Sequence, residues 1–224
     1  MDERERLLVA LQHGDSAFPG GGFTFSWGVE GLVADERVRT ADDLERVVED
    51  LMHGRWAPFD RVALRGAFTA GSDLDRVAAL DREVEAGTLV AGLREGSRRA
   101  GRALIGVHVR LATPGAVAYR ALIDGGTPGH LAVVQGLVWR GLGLSVESAE
   151  AMAAWGLVWS LVSAAIRLDC IGHVAAQALL TRLRPRIAAI LASPPPVAPL
   201  HAFTPLADIA VARHARRDVR LFAN

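Results

Sequence analysis

The chain has 224 residues, of which half are hydrophobic and 22% are charged, the balance of an ordinary folded protein rather than a disordered one. Its formal net charge of zero argues against a general electrostatic affinity for nucleic acid. All 25 basic residues are arginine, which excludes P-loop lysines and Schiff-base chemistry.

A loop of unusual composition follows the first predicted helix, which covers residues 3–13. Residues 14–23 read GDSAFPGGGF, and most residues in this stretch are ordinary turn formers. The exceptions are Phe18 and Phe23, because two rings beside a run of glycines either pack into the core or serve as anchors at an interface. The loop is therefore a candidate functional segment.

The same loop raises the alternative of a serine esterase. Ser16 follows an acid, and Asp208 and His214 stand near the other end of the chain, as in GDS-type esterases, which place a nucleophile early and a histidine late. The match is incomplete because Asp208 stands six residues before His214, whereas those esterases place the acid three residues before the histidine. In addition, the only asparagine is Asn224, which leaves no asparagine for an oxyanion hole. An esterase using Ser16 stays one alternative, and a generic helical interaction protein is another.

The clearest helical period lies between residues 40 and 56. The apolar residues there recur on one face of a helix. They are Leu44, Val47, Val48, Leu51 and Met52. Thr40, followed three residues later by Asp43, resembles a capping box and predicts where this helix begins.

Helix follows helix along the rest of the chain. A second strong period runs from Ala100 to Leu111, beside a face of Arg94, Arg98 and Arg102 that is either a solvated, ion-paired surface or an interface. The remaining candidates are residues 24–34, 58–70, 73–86, 115–123, 129–141, 146–166 and 171–191. Because alternating strand patterns are scarce, the sequence predicts an all-α fold, with residues 1–192 as a single compact bundle of about ten helices.

The region around the only cysteine bears on location and on metals. The uncharged run from Ala151 to Ile166 is too short to span a bilayer and predicts a buried helix. Cys170 excludes an internal disulfide and is typical of a reducing compartment, so we expect a cytoplasmic protein. Cys170 and His173 could offer two ligands to nickel or zinc, but a structural thiol beside a surface imidazole is favoured, since no further ligands accompany them. We therefore predict no metal site and no cofactor.

The C-terminal region predicts a linker and a separate helical tail. Pro185 is expected to kink or divide the last bundle helix, and four prolines then mark an extended linker over residues 193–203. The tail, residues 204–224, predicts a short helix with Pro205 at its first position. Its apolar stripe consists of Leu206, Ile209 and Ala210. Such a helix either docks on its own bundle or folds onto a partner, and the sequence favours neither.

Both ends of the chain resemble one known family. The opening loop matches a D-S-x-x-P-x-G-(G/A)-(F/Y) pattern followed by S-x-G-x-E. The matching residues are Asp15, Ser16, Pro19, Gly21, Gly22, Phe23, Ser26, Gly28 and Glu30. The tail matches T-P-L-x-x-I-x-x-x-R-H and then R-L-F, over residues 204–214 and 220–222. On these motifs the chain is identified as a member of the urease accessory protein UreF family.

Two middle segments resemble the same family more weakly. An S-x-x-x-G-R-x-L element is matched by Ser97, Gly101 and Arg102. An R-L-x-P-x-G-Q-x-x-x-Q element is matched by Arg167, Leu168, Gly172 and Gln177. In the second element Cys170 and His173 replace the proline and the first glutamine, which weakens any contact inferred for those two positions.

The resemblance implies an all-α, cytoplasmic, dimeric protein that is not an enzyme. It would bridge the accessory protein UreD, also called UreH, and the nickel-carrying GTPase UreG, and together they would load nickel into apo-urease. Our hypothesis is that residues 204–222 and the adjoining bundle surface engage UreD, and that a dimer surface that includes residues 15–30 receives UreG, whose GTP turnover would gate the transfer. Modulation of that GTPase, and an arginine acting on its nucleotide, stay open. No nucleic acid or membrane partner is expected.

The partner-binding residues expected on these grounds lie in the loop, on the arginine face, in the second middle segment and in the tail. They are Asp15, Ser16, Phe18, Pro19, Gly21, Gly22, Phe23, Ser26, Glu30, Arg98, Arg102, Gln177, Pro205, His214, Arg220, Leu221 and Phe222.

Overall fold

The structure is a computed structural model that describes residues 1–21, 25–195, 199–214 and 221–222, without the side chain of His214. None of these described residues forms a β-strand, so the all-α prediction is confirmed. In chain order the helices are α1 (Glu3–Gly14), α2 (Val29–Ala34), α3 (Ala41–Leu51), a π-helical segment (Met52–Asp60), α4 (Arg61–Ala70), α5 (Leu74–Gly87), α6 (Ala91–Arg110), α7 (Ala116–Asp124), α8 (Leu131–Gly141), α9 (Val146–Arg167), α10 (His173–Ala192) and α11 (Pro205–His214).

Helix α3 begins at the predicted capping box. The Asp43 N–H donates to Thr40 Oγ1 at 3.2 Å, and the Thr40 N–H donates to Asp43 Oδ2 at 3.0 Å. Two of the N–H groups that every helix start leaves unpaired are thereby satisfied. The predicted apolar face is buried as well, since its five residues are each at most 6% exposed.

The π-helical segment joins α3 and α4 into one continuous helical run, where the sequence predicted two helices that meet near residue 57. In this segment backbone N–H groups reach five residues back, as from Arg61 to the carbonyl of Trp56. Pro58 lies inside it and has no N–H to contribute to an ordinary α-helical turn. The wider turn accommodates the proline without ending the helix.

Helix α9 lies at the centre of the bundle, where it packs against α1, α2, α3, α4, α8 and α10. By length and composition it could cross a membrane, but 56% of its most apolar stretch is buried inside the fold, in agreement with the predicted core helix. Its first turns carry the buried Glu150, whose carboxylate pairs with Arg61 at 3.0 Å and with Arg65 at 2.7 Å. The acid thus sits near the positive end of the helix dipole and beside two guanidinium groups.

Helix α10 continues through Pro185 from His173 to Ala192, so of the two predicted effects, a kink or a division, the division does not occur. Contacts on both sides of the proline hold the helix along α3. Arg182 pairs with Glu45 at 2.6 Å, and Arg186 pairs with Glu45 at 2.8 Å and also with Glu49. At its end, the buried Arg61 guanidinium donates to three backbone carbonyls that the helix leaves unpaired. Those carbonyls belong to Ile190, Leu191 and Ser193.

Candidate functional site

The tail helix α11 is docked on the bundle, against α2 and part of α6. Two glycines of the opening region form its seat. A Cβ added at Gly31 would lie 2.8 Å from the carbonyl oxygen of Ala210, and one at Gly28 would lie 3.1 Å from that of Ala207. Gly28 also has a φ of +90°, which side chains rarely tolerate. The helix predicted over residues 24–34 therefore begins only at Val29.

The close seat determines which face of α11 is buried. Its buried side chains are Ala207, Ala210 and Val211. Of the predicted apolar stripe of Leu206, Ile209 and Ala210, only Ala210 faces the bundle, where the glycines leave little room for a larger side chain. Leu206 and Ile209 point outward instead and are 45% and 51% exposed.

Glu30 fixes the end of the tail. Its two carboxylate oxygens accept from separate backbone N–H groups, one from Leu221 at 2.6 Å and one from Phe222 at 3.1 Å. The Phe222 ring is buried beneath the guanidinium of Arg167, whose Cζ lies 4.1 Å from the ring centroid. Charge-assisted bonds of this kind contribute about 1.5–3 kcal/mol. The motif around residues 26–30 and the terminal R-L-F motif are thus two sides of one contact.

The start of the tail is tied to the π-helical segment. The Phe203 N–H donates to the Gly54 carbonyl at 2.8 Å, and the residue four positions after Gly54 is Pro58, which has no N–H for that carbonyl. A Cβ at Gly54 would lie 2.6 Å from the Phe203 carbonyl oxygen, so only glycine permits this approach. Helix α11 then begins at Pro205, as predicted.

The docked tail leaves an apolar surface outside. We call this set the tail surface: Phe203, Leu206, Ile209 and Leu221. Phe203 is the most exposed of the four, at 78%. Beside it, a groove of about 470 Å³ separates α11 from α3 and the π-helical segment, with Val47, Leu51 and Leu206 among its apolar walls.

The opening loop is packed on α6 rather than free. Asp15 Oδ1 accepts from the Ala17 N–H at 2.6 Å, the side-chain turn expected of this residue type. The Phe18 ring is tilted against His13 at 4.5 Å and His108 at 5.8 Å between centroids. A Cβ at Gly21, where φ is +77°, would lie 2.9 Å from the Cβ of Ala103. Phe18 is therefore half-buried and helps to hold the loop.

The two imidazoles beneath Phe18 stack on each other with centroids 5.1 Å apart. Burial lowers the pKa of His13, and burial together with the neighbouring His13 lowers the pKa of His108 to about 4. His108 is fully buried, and its Nδ1 lies 2.8 Å from Thr113 Oγ1. Both histidines beneath the opening loop are therefore neutral at physiological pH.

Helix α1 presents a second apolar surface. None of its twelve residues is buried, and only Val9 and Ala10 pack partly against the core. We call its outward side chains, Leu7, Leu8 and Leu11, the α1 surface; they are 59%, 66% and 60% exposed. Three exposed leucines on one short helix are typical of an interface.

The other expected partner-binding residues fall into four groups. Asp15, Ser16, Pro19, Arg102, Gln177 and Pro205 are exposed, whereas Ser26, Glu30 and Phe222 are buried inside the fold. Arg98 is partly exposed and pairs with Glu85 at 3.3 Å, as an ion-paired face would. Gly22, Phe23 and Arg220 lie outside the described residues, as does the side chain of His214.

The esterase alternative places Ser16 at the edge of a cleft of about 160 Å³, together with His13 and Asp15. No hydrogen bond joins Ser16 to a histidine within the part of the chain that the structure describes. Its partner histidine was to be His214, whose side chain is not described. Among the described residues, Ser16 therefore has no histidine hydrogen-bonded to it that could act as its general base.

A different serine has the connectivity of a triad, which the sequence analysis missed. Ser97 Oγ lies 3.1 Å from His130 Nδ1, and His130 Nε2 lies 2.8 Å from Glu85 Oε2. The same Ser97 oxygen accepts the Leu131 N–H at 3.2 Å. Burial lowers the pKa of His130. The residues come from three distant segments, so no spacing in the sequence would reveal them.

This polar cluster caps helix α8. The buried Asp81 accepts the Gly129 N–H at 2.6 Å, the His130 N–H at 2.9 Å and the Tyr119 hydroxyl at 2.8 Å. Burial, followed by the charge of Asp81, raises the pKa of Tyr119. Ser97 and Asp81 supply acceptors to successive N–H groups at one helix start. A structural role in capping α8 is therefore sufficient to account for this cluster.

Cys170 and His173 do not form a metal centre with other described residues. The Cys170 thiol donates to the Val38 carbonyl at 3.7 Å, and burial raises its pKa. In the described ranges no group of three or more His, Cys, Asp and Glu side chains could hold a metal ion. The protonated thiol in this position is a weak ligand.

Comparison with known proteins gives one consistent family. The family model described as UreF matches residues 38–184. Proteins described as urease accessory protein UreF are similar over nearly the whole length: one from Trichodesmium erythraeum is 32% identical over 97% of this chain and 96% of its own. One from Kocuria rhizophila is 30% identical over 96% of both chains, and one from Yersinia enterocolitica is 27% identical over 97% of this chain and 98% of its own.

Proposed function

Since this chain belongs to the UreF family of urease accessory proteins, we propose that it is a non-enzymatic assembly protein of the cytoplasm. It holds UreD and UreG in one complex and thereby assists the GTP-dependent insertion of nickel into apo-urease. Nickel is the cargo of the complex, and the chemistry of GTP hydrolysis stays with UreG.

The observation that carries this proposal is the presence of two separate apolar surfaces on one folded chain. The tail surface and the α1 surface belong to elements at opposite ends of the sequence, and both expose large side chains although the core around them is closed. A soluble chain that acts alone gains nothing from such patches, whereas interfaces are built on them.

We assign the tail surface to UreD. The docked helix α11 presents Leu206 and Ile209 one turn apart, and Phe203 before it and Leu221 after it in the chain are exposed as well. Apolar anchors in this pattern are typical of interfaces between helical elements. The exposed Pro205 lies between two of these anchors.

We assign the α1 surface to a homodimer that includes the neighbouring opening loop and receives UreG. A patch of leucines on a single helix is self-complementary when a two-fold axis passes beside it, which is the commonest way to form a dimer. Asp15, Ser16 and Pro19 are exposed next to it. These polar loop residues would form the rim at which UreG binds.

Co-purification with the UreD and UreG of the same source tests the assignments. Light scattering of the wild-type protein is expected to show a dimer that takes up both partners. Leu8→Arg should give a monomer that keeps UreD, and a chain ending at Val197 should keep its dimer but lose UreD. A wild-type protein that binds neither partner would overturn the proposed function.

A matched substitution separates the α1 surface from general surface effects. Leu89 is 85% exposed on the connection between α5 and α6, so Leu89→Arg introduces the same charge elsewhere on the bundle. This variant should remain a dimer. If Leu89→Arg and Leu8→Arg both dissociate the dimer, the assignment to α1 is lost.

A further inference from the structure

We propose that UreD binds a composite groove, one wall of which exists only while the tail is docked, and that Glu30 is the positioning residue that forms it. This inference rests on the proposed function, but it concerns how the site is assembled within this chain. The occupant of the groove is an apolar side chain of the partner with a basic residue beside it.

The groove has walls from two parts of the sequence. On one side lie Val47, Leu51 and the start of the π-helical segment, and on the other lie Phe203 and Leu206 of the tail. Neither side alone encloses the space of about 470 Å³. An undocked tail would leave a flat, half-apolar helix face on α3, which offers an anchor residue little contact.

The tail is held at its start by the bond from Phe203 to Gly54, beside the groove, and at its end by a group that lies away from the groove. Glu30 holds the backbone at Leu221 and Phe222, 2.6 and 3.1 Å from its two oxygens. Glu30 is only 8% exposed and does not line the groove. It therefore acts on the partner through the tail, and not by touching the partner.

The chemistry of the occupant follows from the lining. The walls are largely aliphatic, which requires an apolar anchor. On the rim lies Asp50, an exposed carboxylate that makes no ion pair with any described residue, beside the exposed His53. The other acids on α3 differ, since Glu45 and Glu49 are paired with arginines of α10. The unpaired carboxylate at the rim matches a lysine or arginine that flanks the anchor.

The positioning role is tested with Glu30→Gln. Glutamine offers a single acceptor oxygen and turns an NH2 group towards the other backbone N–H, so both bonds cannot form. Hydrogen exchange of the Leu221 and Phe222 amides should accelerate at least tenfold, and the affinity for UreD should fall at least tenfold. Glu147→Gln, on an exposed side chain at the start of α9, is the matched control and should change neither.

Two substitutions test the groove itself and leave the contact between Glu30 and the end of the tail in place. Leu206→Asp places an acid in the first turn of α11, where the helix dipole tolerates it, and Asp50→Arg reverses the rim charge. Both should weaken UreD binding at least tenfold while the Leu221 and Phe222 amides keep their protection. Leu89→Asp is the control for the first substitution, and Asp75→Arg, at the start of α5, for the second.

The outcomes distinguish this inference from the proposed function. If the wild-type protein fails to bind UreD, the proposed function falls. If the wild-type protein binds UreD and Glu30→Gln binds equally well despite faster exchange of the tail amides, Glu30 does not position the groove and the inference is overturned. If Asp50→Arg and Leu206→Asp both bind normally, the groove is not the site.

Discussion

The two ends of the chain expose apolar side chains for different structural reasons. Helix α1 buries none of its residues; Val9 and Ala10 pack partly against the core, and His13 stacks on His108. The tail helix buries one face completely in a seat of two glycines, and it is also clamped by Glu30. Helix α1 therefore packs on the bundle through few contacts, whereas the tail helix packs closely against it. An exposed leucine therefore means little until the attachment of its helix is known.

This difference also changes what the family motifs mean. The S-x-G-x-E residues Ser26, Gly28 and Glu30 are buried, and Gly28 and Glu30 contact the tail. Their expected role in binding a partner stays a prediction, but their contacts in the fold are internal. Among the loop positions, the exposed Asp15, Ser16 and Pro19 remain available to another chain.

Acidification should cause the largest loss of stability, and it should act on the end that contains α1 and the opening loop rather than on the tail. The pKa of His108 is lowered to about 4 from the ordinary 6.5. Between these two pH values His108 is therefore protonated in the unfolded chain and neutral in the folded chain. Stability should be complete above pH 6.5 and fall as the pH drops towards 4, by about 1.4 kcal/mol per unit and about 3 kcal/mol in all.

Urea unfolding at several pH values measures this slope. His108→Gln keeps a polar group that can reach Thr113 but does not titrate, so its stability should depend less on pH in this window. Hydrogen exchange should locate the loosening at α1 and the opening loop rather than at the tail. Equal slopes for the two proteins would show that His108 does not control the acid response.

Filling the glycine seat should have the next largest effect, at the other end. Gly31→Val puts a side chain where its Cβ would be 2.8 Å from the Ala210 carbonyl oxygen, and overpacking of this kind costs about 2 kcal/mol. Thermal unfolding and exchange of the tail amides measure the loss. Gly156→Val is the control, because a Cβ at Gly156 meets nothing within 4 Å. An unchanged tail in Gly31→Val would mean that α11 does not need this seat.

Removal of the cation over Phe222 should have a smaller effect. Arg167→Gln removes the guanidinium that lies 4.1 Å from the ring centroid, and such contacts contribute about 1 kcal/mol. Faster exchange near Phe222 with little change in melting temperature is expected, since the Glu30 bonds remain. Arg110→Gln, at the exposed end of α6, provides the comparison. Equal exchange rates in the two variants would assign no role to the ring contact.

The smallest effect on stability is expected on the α1 surface. Leu8 is 66% exposed, so Leu8→Arg should change the free energy of unfolding by less than about 0.5 kcal/mol, even though it is expected to dissociate the dimer. Chemical denaturation at low protein concentration measures the monomer alone. A loss of several kcal/mol there would mean that α1 is part of the core, contrary to its exposure.

Much of the fold could be predicted because its determinants are local. The period of Leu44 to Met52, the capping box at Thr40 and the proline that begins α11 all act within a few residues, and each was confirmed. Errors arose where a distant group decides. Pro185 does not divide α10, in which arginines on both sides of it pair with α3. The buried face of α11 includes Ala207 and Val211 beside the predicted Ala210, because glycines far away in sequence select it.

The candidate site was less predictable for the same reason. Phe203 and Leu206 line one groove only because the tail is docked, and nothing in the tail sequence shows that Glu30 binds its end. The cluster of Ser97, His130 and Glu85 likewise joins segments that are far apart in the chain. Local patterns identified the motifs, but the partner of each motif is set by tertiary packing.

The contact between Glu30 and Phe222 joins residues 192 positions apart, and this has a consequence for biosynthesis. Chains fold from the N-terminus as they leave the ribosome, so the glycine surface at α2 stays uncovered until α11 and the residues after it have been translated. A prematurely terminated chain would contain nearly the whole bundle and yet lack the tail surface. Recognition through that surface would therefore admit to the complex only copies whose tail has been synthesised and has docked on the bundle.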